Sequence, residues 1–343
     1  MSGSTEARRA AARYHGDQAL TPGVLDFAVN VRAAAPPQWL RDRLVSRVDE
    51  LGSYPTRADE ERAVAAIAER HGRAPDEVLL LAGAAEGFAM LPRLSPHRAA
   101  VFAPGFTEPE AVLAEAGIPI DHVVLPPPFT LDGGTVHDDA DLVVIGNPTN
   151  PTSVLHTRED LLALRRPGRT LLVDEAFMDA VPGEPQSLAS QRLPGLVVLR
   201  SLTKTWALAG LRAGYAVGDP EILARLVQGR AHWPLGTLQL EALAVCNTAE
   251  AVAYAAEDTR RLVATRRRQA DALRGLGLTV TEGAAPFLLV AVPDADLMRK
   301  HLEAKNITVR RCDTFVGLEG DHLRVAVRSE WPELVQAMKE ILQ

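Results

Sequence analysis

The sequence predicts an α/β fold with a smaller α+β unit behind it, and three observations carry that prediction. From residue 78 to residue 228, short apolar runs alternate with turns and helical stretches, the rhythm of strands in a buried parallel sheet. Beyond residue 276 the order becomes strand, helix, two strands, helix. At 343 residues the chain also exceeds what one compact core holds.

The N-terminal residues 1–12 are rich in Ser, Arg and Ala without a clear period and read as a frayed end or short helix. His15 comes next in a loop, where it is either solvated or placed to meet a ligand if this arm folds over a cleft. Residues 25–30 alternate weakly and read as a short extended segment. Residues 36–50 read as a helix opened by proline, with Leu40, Leu44 and Val48 on one face. Gly52 to Pro55 break it, and a second helix over 58–71 stops at Gly72. Tyr54, in the break, reads on its own as a packed loop aromatic.

The alternating region begins with the apolar run 78–81, of the kind a buried parallel strand makes. Gly83, Ala84 and Ala85 come after it, and such small residues let backbone N–H groups approach an anion or simply permit tight strand–helix packing. A strand over 99–102 precedes Phe106, just past a strand's C-terminal end, where open parallel sheets gather ligands. A helix over 108–116 and a strand over 121–125 come next. The strand 141–146 runs into Asn147-Pro148-Thr149-Asn150-Pro151-Thr152, a rigid turn with two side-chain amides. The strand 170–173 ends at Asp174, a carboxylate that needs a cation or a hydrogen-bond donor if it is buried. A pyridinium N–H would serve, and an N-capping or surface aspartate is the plain alternative.

The strand 196–200 leads into Ser201-Leu202-Thr203-Lys204-Thr205-Trp206-Ala207-Leu208-Ala209-Gly210-Leu211-Arg212. Lysine is rarely buried without a partner, yet Lys204 lies between two apolar runs. A partly desolvated lysine loses proton affinity and can attack a carbonyl carbon as a neutral amine. Ser201, Thr203 and Arg212 supply two hydroxyls and a planar cation, a set that suits phosphate. An amine beside an anion site is what pyridoxal 5′-phosphate, an aldehyde with a phosphate, requires; the alternative is an ordinary surface lysine in a solvated loop.

A strand over 213–218, a helix over 220–228 and a helical segment over 238–276 complete this region. The arginines of that last segment read as a solvated face. The C-terminal unit is then strand 287–292, helix 294–305, strands 307–310 and 322–327, and helix 332–342. Lys and Arg total 37 against 44 Asp and Glu, a net charge of −7, and no basic stripe tracks a nucleic-acid backbone. Cys246 and Cys312 lack metal-ligand spacing, so no metal site is expected and a reduced compartment fits. No signal-peptide pattern and no apolar run of roughly twenty residues is present, so a cytoplasmic protein is expected.

Gly83-Ala84-Ala85, Phe106, Asn150, Asp174, Ser201, Thr203, Lys204 and Arg212 occur in this order, mostly at strand ends. Together with the Ser-Leu-Thr-Lys-Thr-x-x-Leu-Ala-Gly-Leu-Arg run they resemble the fold-type I pyridoxal-phosphate enzymes of the class I and II aminotransferase branch, from Asp26 to the C-terminus. The resemblance implies a mostly parallel seven-stranded sheet in a large domain over 46–236. Residues 237–343 would then form the small domain, with 1–45 an N-terminal arm contributing to it. It implies Lys204 as the amine that bonds the cofactor and then moves protons, and Asp174 as the partner of the ring nitrogen. Asn150 would donate to the phenolic oxygen, and Phe106 would stack on the ring. Gly83, Ala84, Ala85, Ser201, Thr203 and Arg212 would hold the phosphate. Tyr54 resembles the tyrosine that reaches the phosphate across a dimer interface, so a homodimer with shared sites is implied. Arg324 matches the arginine that binds a substrate carboxylate.

The chain departs from the family pattern at Phe177 and Ser153, and it reads Asn30-Val31-Arg32-Ala33 where an Asn-Pro-x-Gly is expected after Asn30. Phe177 stands where many relatives carry a tyrosine that donates to the phenolic oxygen, which should raise the pKa of the lysine–cofactor imine. Ser153 stands where the Asn-Pro-Thr motif ordinarily ends in glycine. Within the branch the look-alikes are the threonine-phosphate decarboxylases of cobalamin synthesis and the histidinol-phosphate aminotransferases. His15-Gly16, Asp26-Phe27-x-x-Asn30, Asp-Glu-Ala-Phe ending at Phe177 and the Arg310-x-Cys312 pair ahead of Arg324 and Arg328 look more like the former. The expected reaction is therefore conversion of L-threonine O-3-phosphate to (R)-1-aminopropan-2-ol O-2-phosphate, with a glutamate-dependent aminotransferase as the alternative. A silent cofactor-binding protein is the third reading, against which the intact Lys204, Asp174 and Arg212 set speaks. A phosphorylated amine calls for an extra cationic pocket, and His15, Asn30, Arg32 and Arg328 are the expected substrate-binding residues beside Arg324.

Overall fold

The computed structural model describes residues 23–318 and 320–343. The strands, in chain order, are β1 (Leu25–Phe27), β2 (Val78–Leu81), β3 (Ala99–Ala103), β4 (Ile120–Val124), β5 (Leu142–Gly146), β6 (Thr170–Asp174), β7 (Leu196–Ser201), β8 (Gly214–Gly218), β9 (Thr279–Val280), β10 (Phe287–Ala291), β11 (Ile307–Arg311) and β12 (His322–Ala326). Seven form one sheet in the order β2-β8-β7-β6-β5-β3-β4. All run the same way except β8, which pairs antiparallel with both β2 and β7. The run 78–81 is thus an edge strand whose one partner is antiparallel, where an internal parallel strand is expected.

Side chains alternate across this sheet, so each strand feeds two cores. Val143, Ile145, Leu171, Val173, Val198 and Tyr215 face a core with Leu40, Ile67, Leu240 and Leu243. Leu142, Val144, Leu172, Val197 and Leu199 face a second core with Phe88, Leu113, Leu223 and Leu226. Helices on both faces leave the C-terminal strand ends as the open edge, the usual place for a ligand in such sheets.

The second sheet has the order β1-β11-β12-β10-β9. β1 joins it parallel to β11, Leu25 opposite Ile307, and the other pairings are antiparallel. Helices Ala295–Ala304 and Trp331–Leu342 cover it through Met298, Leu302, Leu334 and Met338.

Two expected helices are divided. The stretch 36–50 becomes a helix Gln38–Val45 and a short 3-10 turn Val48–Gly52, and Val48 points outward. The stretch 238–276 is two helices, Thr237–Val245 and Ala249–Arg274, because Thr248 caps the second by accepting the Ala251 N–H. Thr237–Val245 and Leu40 pack in the core of the large sheet. The helix Ala249–Arg274 contributes Ala251 to that core and Leu262, Ala270 and Leu273 to the core of the smaller sheet. Among the described residues no helix is long and apolar enough to cross a membrane.

Candidate active site

The C-terminal strand ends open on one cavity of about 600 Å3. Ala84 and Ala85 come after β2, Phe106 after β3, Asn150 after β5, Asp174 ends β6, and Ser201, Thr203 and Lys204 end or succeed β7; all line it, as does Arg212. The opposite wall comes from Ala28 to Val31 after β1, and from Arg310 and Arg324 on β11 and β12. The cavity therefore lies between the two sheets.

The loop from Lys204 to Arg212 is shaped by contacts that hold it in unfavourable conformations. Ala207 and Arg212 have φ of 53° and 59°, a region that costs a Cβ-bearing residue energy and persists only when its surroundings enforce it. Arg212 Nη1 donates to Ala209 O at 3.1 Å, and Gln239 Nε2 donates to Arg212 O at 2.8 Å. Gly83 does not line the cavity but lies under the guanidinium of Arg212. At φ 83°, a Cβ there would fall 2.8 Å from Arg212 Nη2. Ser201 and Thr203 join hydroxyls at 2.7 Å. The two hydroxyls, the guanidinium and Ala84 and Ala85 after Gly83 thus line the same cavity.

Burial pushes the Asp174 carboxyl up to about 6, against the Ala176 N–H that it accepts at 3.0 Å and the charge of Lys204; neighbouring Glu175 adds to the rise. A carboxylate so placed is satisfied by a cationic N–H brought into the cavity. Asn150 Oδ1 accepts Arg324 Nη1 at 2.6 Å, which leaves its amide NH2 as the donor. Asn30 Oδ1 is buried and has no hydrogen-bond partner among the described residues. An amine, a carboxylate short of a cation, an amide donor, two hydroxyls and a guanidinium match what pyridoxal phosphate asks of a site.

The ends of β6 and β7 are fixed from behind by buried charges. Arg200 Nη1 reaches Glu175 at 3.0 Å and Glu184 at 2.7 Å, and its Nη2 reaches Asp179 at 2.5 Å. Arg70 binds Asp179 and Glu184 from the other side. Glu175 succeeds Asp174 and Arg200 precedes Ser201, so this cluster sets the backbone on which two site residues stand. Sequence reasoning missed it, although a charged residue inside an apolar strand run, Arg200, was the available signal.

Not every expected residue reaches the cavity. His15 lies outside the described residues. Arg32 is directed to the helix Ala249–Arg274, paired with Asp258 at 2.5 Å and donating to Thr259 Oγ1 at 3.3 Å. Arg328 holds the N-terminal segment through Asp26 O at 3.1 Å and Val29 O at 2.9 Å. Both serve the chain's own carboxylates and carbonyls, and neither lines the cavity. Tyr54 is 72% exposed, stacks on Trp233 at 4.3 Å and does not line this chain's cavity.

Beside Arg324 the cavity is also lined by Arg310, which in the sequence stands out only as part of the Arg310-x-Cys312 pair. It is 3% exposed, lies opposite Arg324 in the strand register, and donates to Arg311 O at 2.7 Å and Thr314 Oγ1 at 2.8 Å. Burial, with Arg310 as a like-charged neighbour, pulls the Arg324 guanidinium down to about 9. Two buried guanidinia side by side are stabilised by an anion bound between or beside them.

A family model described as aminotransferase class I and II matches residues 22–339. A Mycobacterium tuberculosis protein named histidinol-phosphate aminotransferase is 63% identical over 331 residues, covering 96% of this chain and 91% of that one. A Salmonella typhimurium protein named threonine-phosphate decarboxylase is 31% identical over 337 residues, 93% and 91% of the two chains. The crystal structure of histidinol-phosphate aminotransferase from Sinorhizobium meliloti in complex with pyridoxal-5′-phosphate superposes with a TM-score of 0.84 at 19% identity, covering 96% of this chain and 97% of that one.

Proposed function

The chain belongs to the class I and II aminotransferases, a family that uses pyridoxal phosphate, and from that premise we propose that it transfers the amino group of a phosphorylated amine of the histidinol-phosphate type to a 2-oxo acid. The observation that carries the substrate class is the buried pair Arg310 and Arg324 facing Lys204 across the cavity. Transamination is supported by the similarity at 63% to proteins named histidinol-phosphate aminotransferase. This reverses the order of the two readings that the sequence motifs favoured.

The cofactor, when bound, supplies an electron sink for the bond broken at the substrate's Cα. Lys204 would hold it and carry a proton to or from Cα, and Asp174 would keep the ring nitrogen protonated. Asn150 would donate to the phenolic oxygen, and Ser201, Thr203, Arg212 and the Ala84–Ala85 backbone would hold the phosphate. Arg324 would bind the carboxylate of glutamate or 2-oxoglutarate, and Arg310 the second anion, whether carboxylate or substrate phosphate. How these two arginines hold the substrate would decide which bond to Cα is broken.

Threonine-phosphate decarboxylation is the second reading, favoured by Phe177, whose ring lacks the donor hydroxyl, and by the 31% relative. Incubation of the cofactor-loaded protein with histidinol phosphate and 2-oxoglutarate is expected to give glutamate, and L-threonine O-3-phosphate to give no CO2. CO2 release independent of keto acid would reverse the assignment, and neither product would sink both readings. Arg310→Ala should raise KM for the phosphorylated substrate roughly 30-fold or more, since truncating a buried charge contact costs about 2–5 kcal/mol.

The homodimer belongs to the same proposal. Val45, Val48, Leu51, Tyr54 and Trp233 are all exposed apolar side chains around the 3-10 turn and its stacked partner. Apolar surface of this kind marks an interface, here with a second copy whose site Tyr54 would complete. Trp233→Glu is expected to shift the protein toward monomer in sedimentation and to weaken cofactor retention; an unchanged dimer would move the interface elsewhere.

A further inference from the structure

The turn that carries Asn150 ends in a residue that its own backbone disfavours. Ser153 is fully buried with φ 68°, a conformation that suits glycine better than serine. Its hydroxyl provides what glycine lacks. Ser153 Oγ accepts the N–H of Ala285 at 2.8 Å, and Ser153 O accepts the N–H of Ala284 at 2.7 Å. These bonds join the large sheet's Asn150 turn to the segment that enters β10.

Gly283 completes the contact. A Cβ built there would fall 2.4 Å from both Cβ and Oγ of Ser153 and 2.7 Å from its carbonyl oxygen, so the two backbones meet with no room for a side chain. Arg266 Nη1 holds the same segment from the other side through Ala284 O at 2.6 Å. Phe177 meets Phe287 edge to face at 5.0 Å, and Arg324 lies over the Phe287 ring at 5.2 Å. Arg324 in turn donates to Asn150 at 2.6 Å, which closes a ring of contacts from the Asn150 turn through 283–287 and back. Ser153 and Phe177, two of the departures from the family pattern, both belong to that ring.

We infer that Ser153 and Gly283 form a seam between the two sheets that positions Arg324 relative to Lys204, and that Ser153 is thereby a positioning residue for the anionic end of the substrate. The inference rests on the reading of Arg324 and Arg310 as the anion-binding pair. Exchanging serine for glycine would relieve backbone strain but leave the buried Ala285 N–H without its acceptor, so the seam loosens even though the turn itself relaxes.

The test uses 3-phosphonopropionate, which carries a carboxylate and a phosphonate but no amine, titrated calorimetrically into the cofactor-loaded protein. Ser153→Gly is expected to weaken binding about tenfold, the effect of losing one buried hydrogen bond. Gly283→Ala should weaken it at least as much. The double variant should bind better than the product of the single effects predicts, because the clash with the Ser153 side chain is gone and only that with its carbonyl oxygen remains. Hydrogen exchange at the amides of Ala284 and Ala285 should quicken in Ser153→Gly. If the natural protein binds the probe and the variants bind equally, with unchanged exchange, the seam has no positioning role. Failure of the natural protein to bind would instead overturn the two-arginine reading, and with it the role given to Ser153.

Discussion

Replacing Lys204 with alanine is expected to abolish the reaction, with a loss of roughly ten-thousand-fold or more, and to remove the visible absorbance of the lysine-bound cofactor. The size reflects two duties on one side chain. Lys204 supplies the amine that bonds the aldehyde, and the same amine carries the proton at Cα. Lys204→Arg separates charge from nucleophilicity, because a guanidinium keeps the charge but cannot deprotonate to attack carbon. It should be as inactive as the alanine variant. A spectrum unchanged in Lys204→Ala would remove the basis for the entire site assignment.

Asp174→Asn is expected to act in opposite directions with and without the cofactor. The native carboxyl titrates near 6, above its ordinary 3.8, because burial disfavours its charge. Between those values the folded chain holds more protons than the unfolded one, so this group's contribution to stability falls as pH rises through the window and is fully lost above it. The loss is at most about 3 kcal/mol. Asparagine does not ionise, so the cofactor-free variant should melt a few degrees higher than the natural protein at pH 7.5, and the difference should vanish near pH 4. With cofactor the order reverses. An amide cannot keep the ring nitrogen protonated, and the rate should fall roughly a hundred- to ten-thousand-fold. Equal melting of the cofactor-free proteins at both pH values would show that Asp174 is solvated enough to ionise freely.

Much of the site was legible because strand ends are legible. Apolar runs such as 142–146 and 170–174 announce buried strands, and residues at or just past their C-terminal ends, Asn150 and Asp174 among them, line the cavity. The reversal of β8 was not legible, since an apolar run carries no mark of its direction. The break at Thr248 was hidden by helical propensity on both sides, and only its capping bond reveals it. The placement of Arg32 and Arg328 was hidden for a related reason. An arginine's sequence position does not say whether its partner will be a ligand or the chain's own carboxylate, and both found partners within the fold. Arg310 lies in a strand whose residues are otherwise Ile, Thr, Val and Arg, so its burial comes from pairing with β12 and not from any local pattern.

The parallel pairing of β1 with β11 places Leu25 against Ile307. During synthesis β1 must wait until residues 307–309 have left the ribosome before it meets its neighbour. The large sheet can assemble earlier, from strands close together in the chain. Ala28 to Val31, which continue from β1, line the cavity, so its wall closes last. A nascent chain would therefore hold Lys204 and Asp174 in a folded sheet before the cavity around them is complete. Because contacts between distant segments form slowly, assembly of this protein should be paced by that late strand.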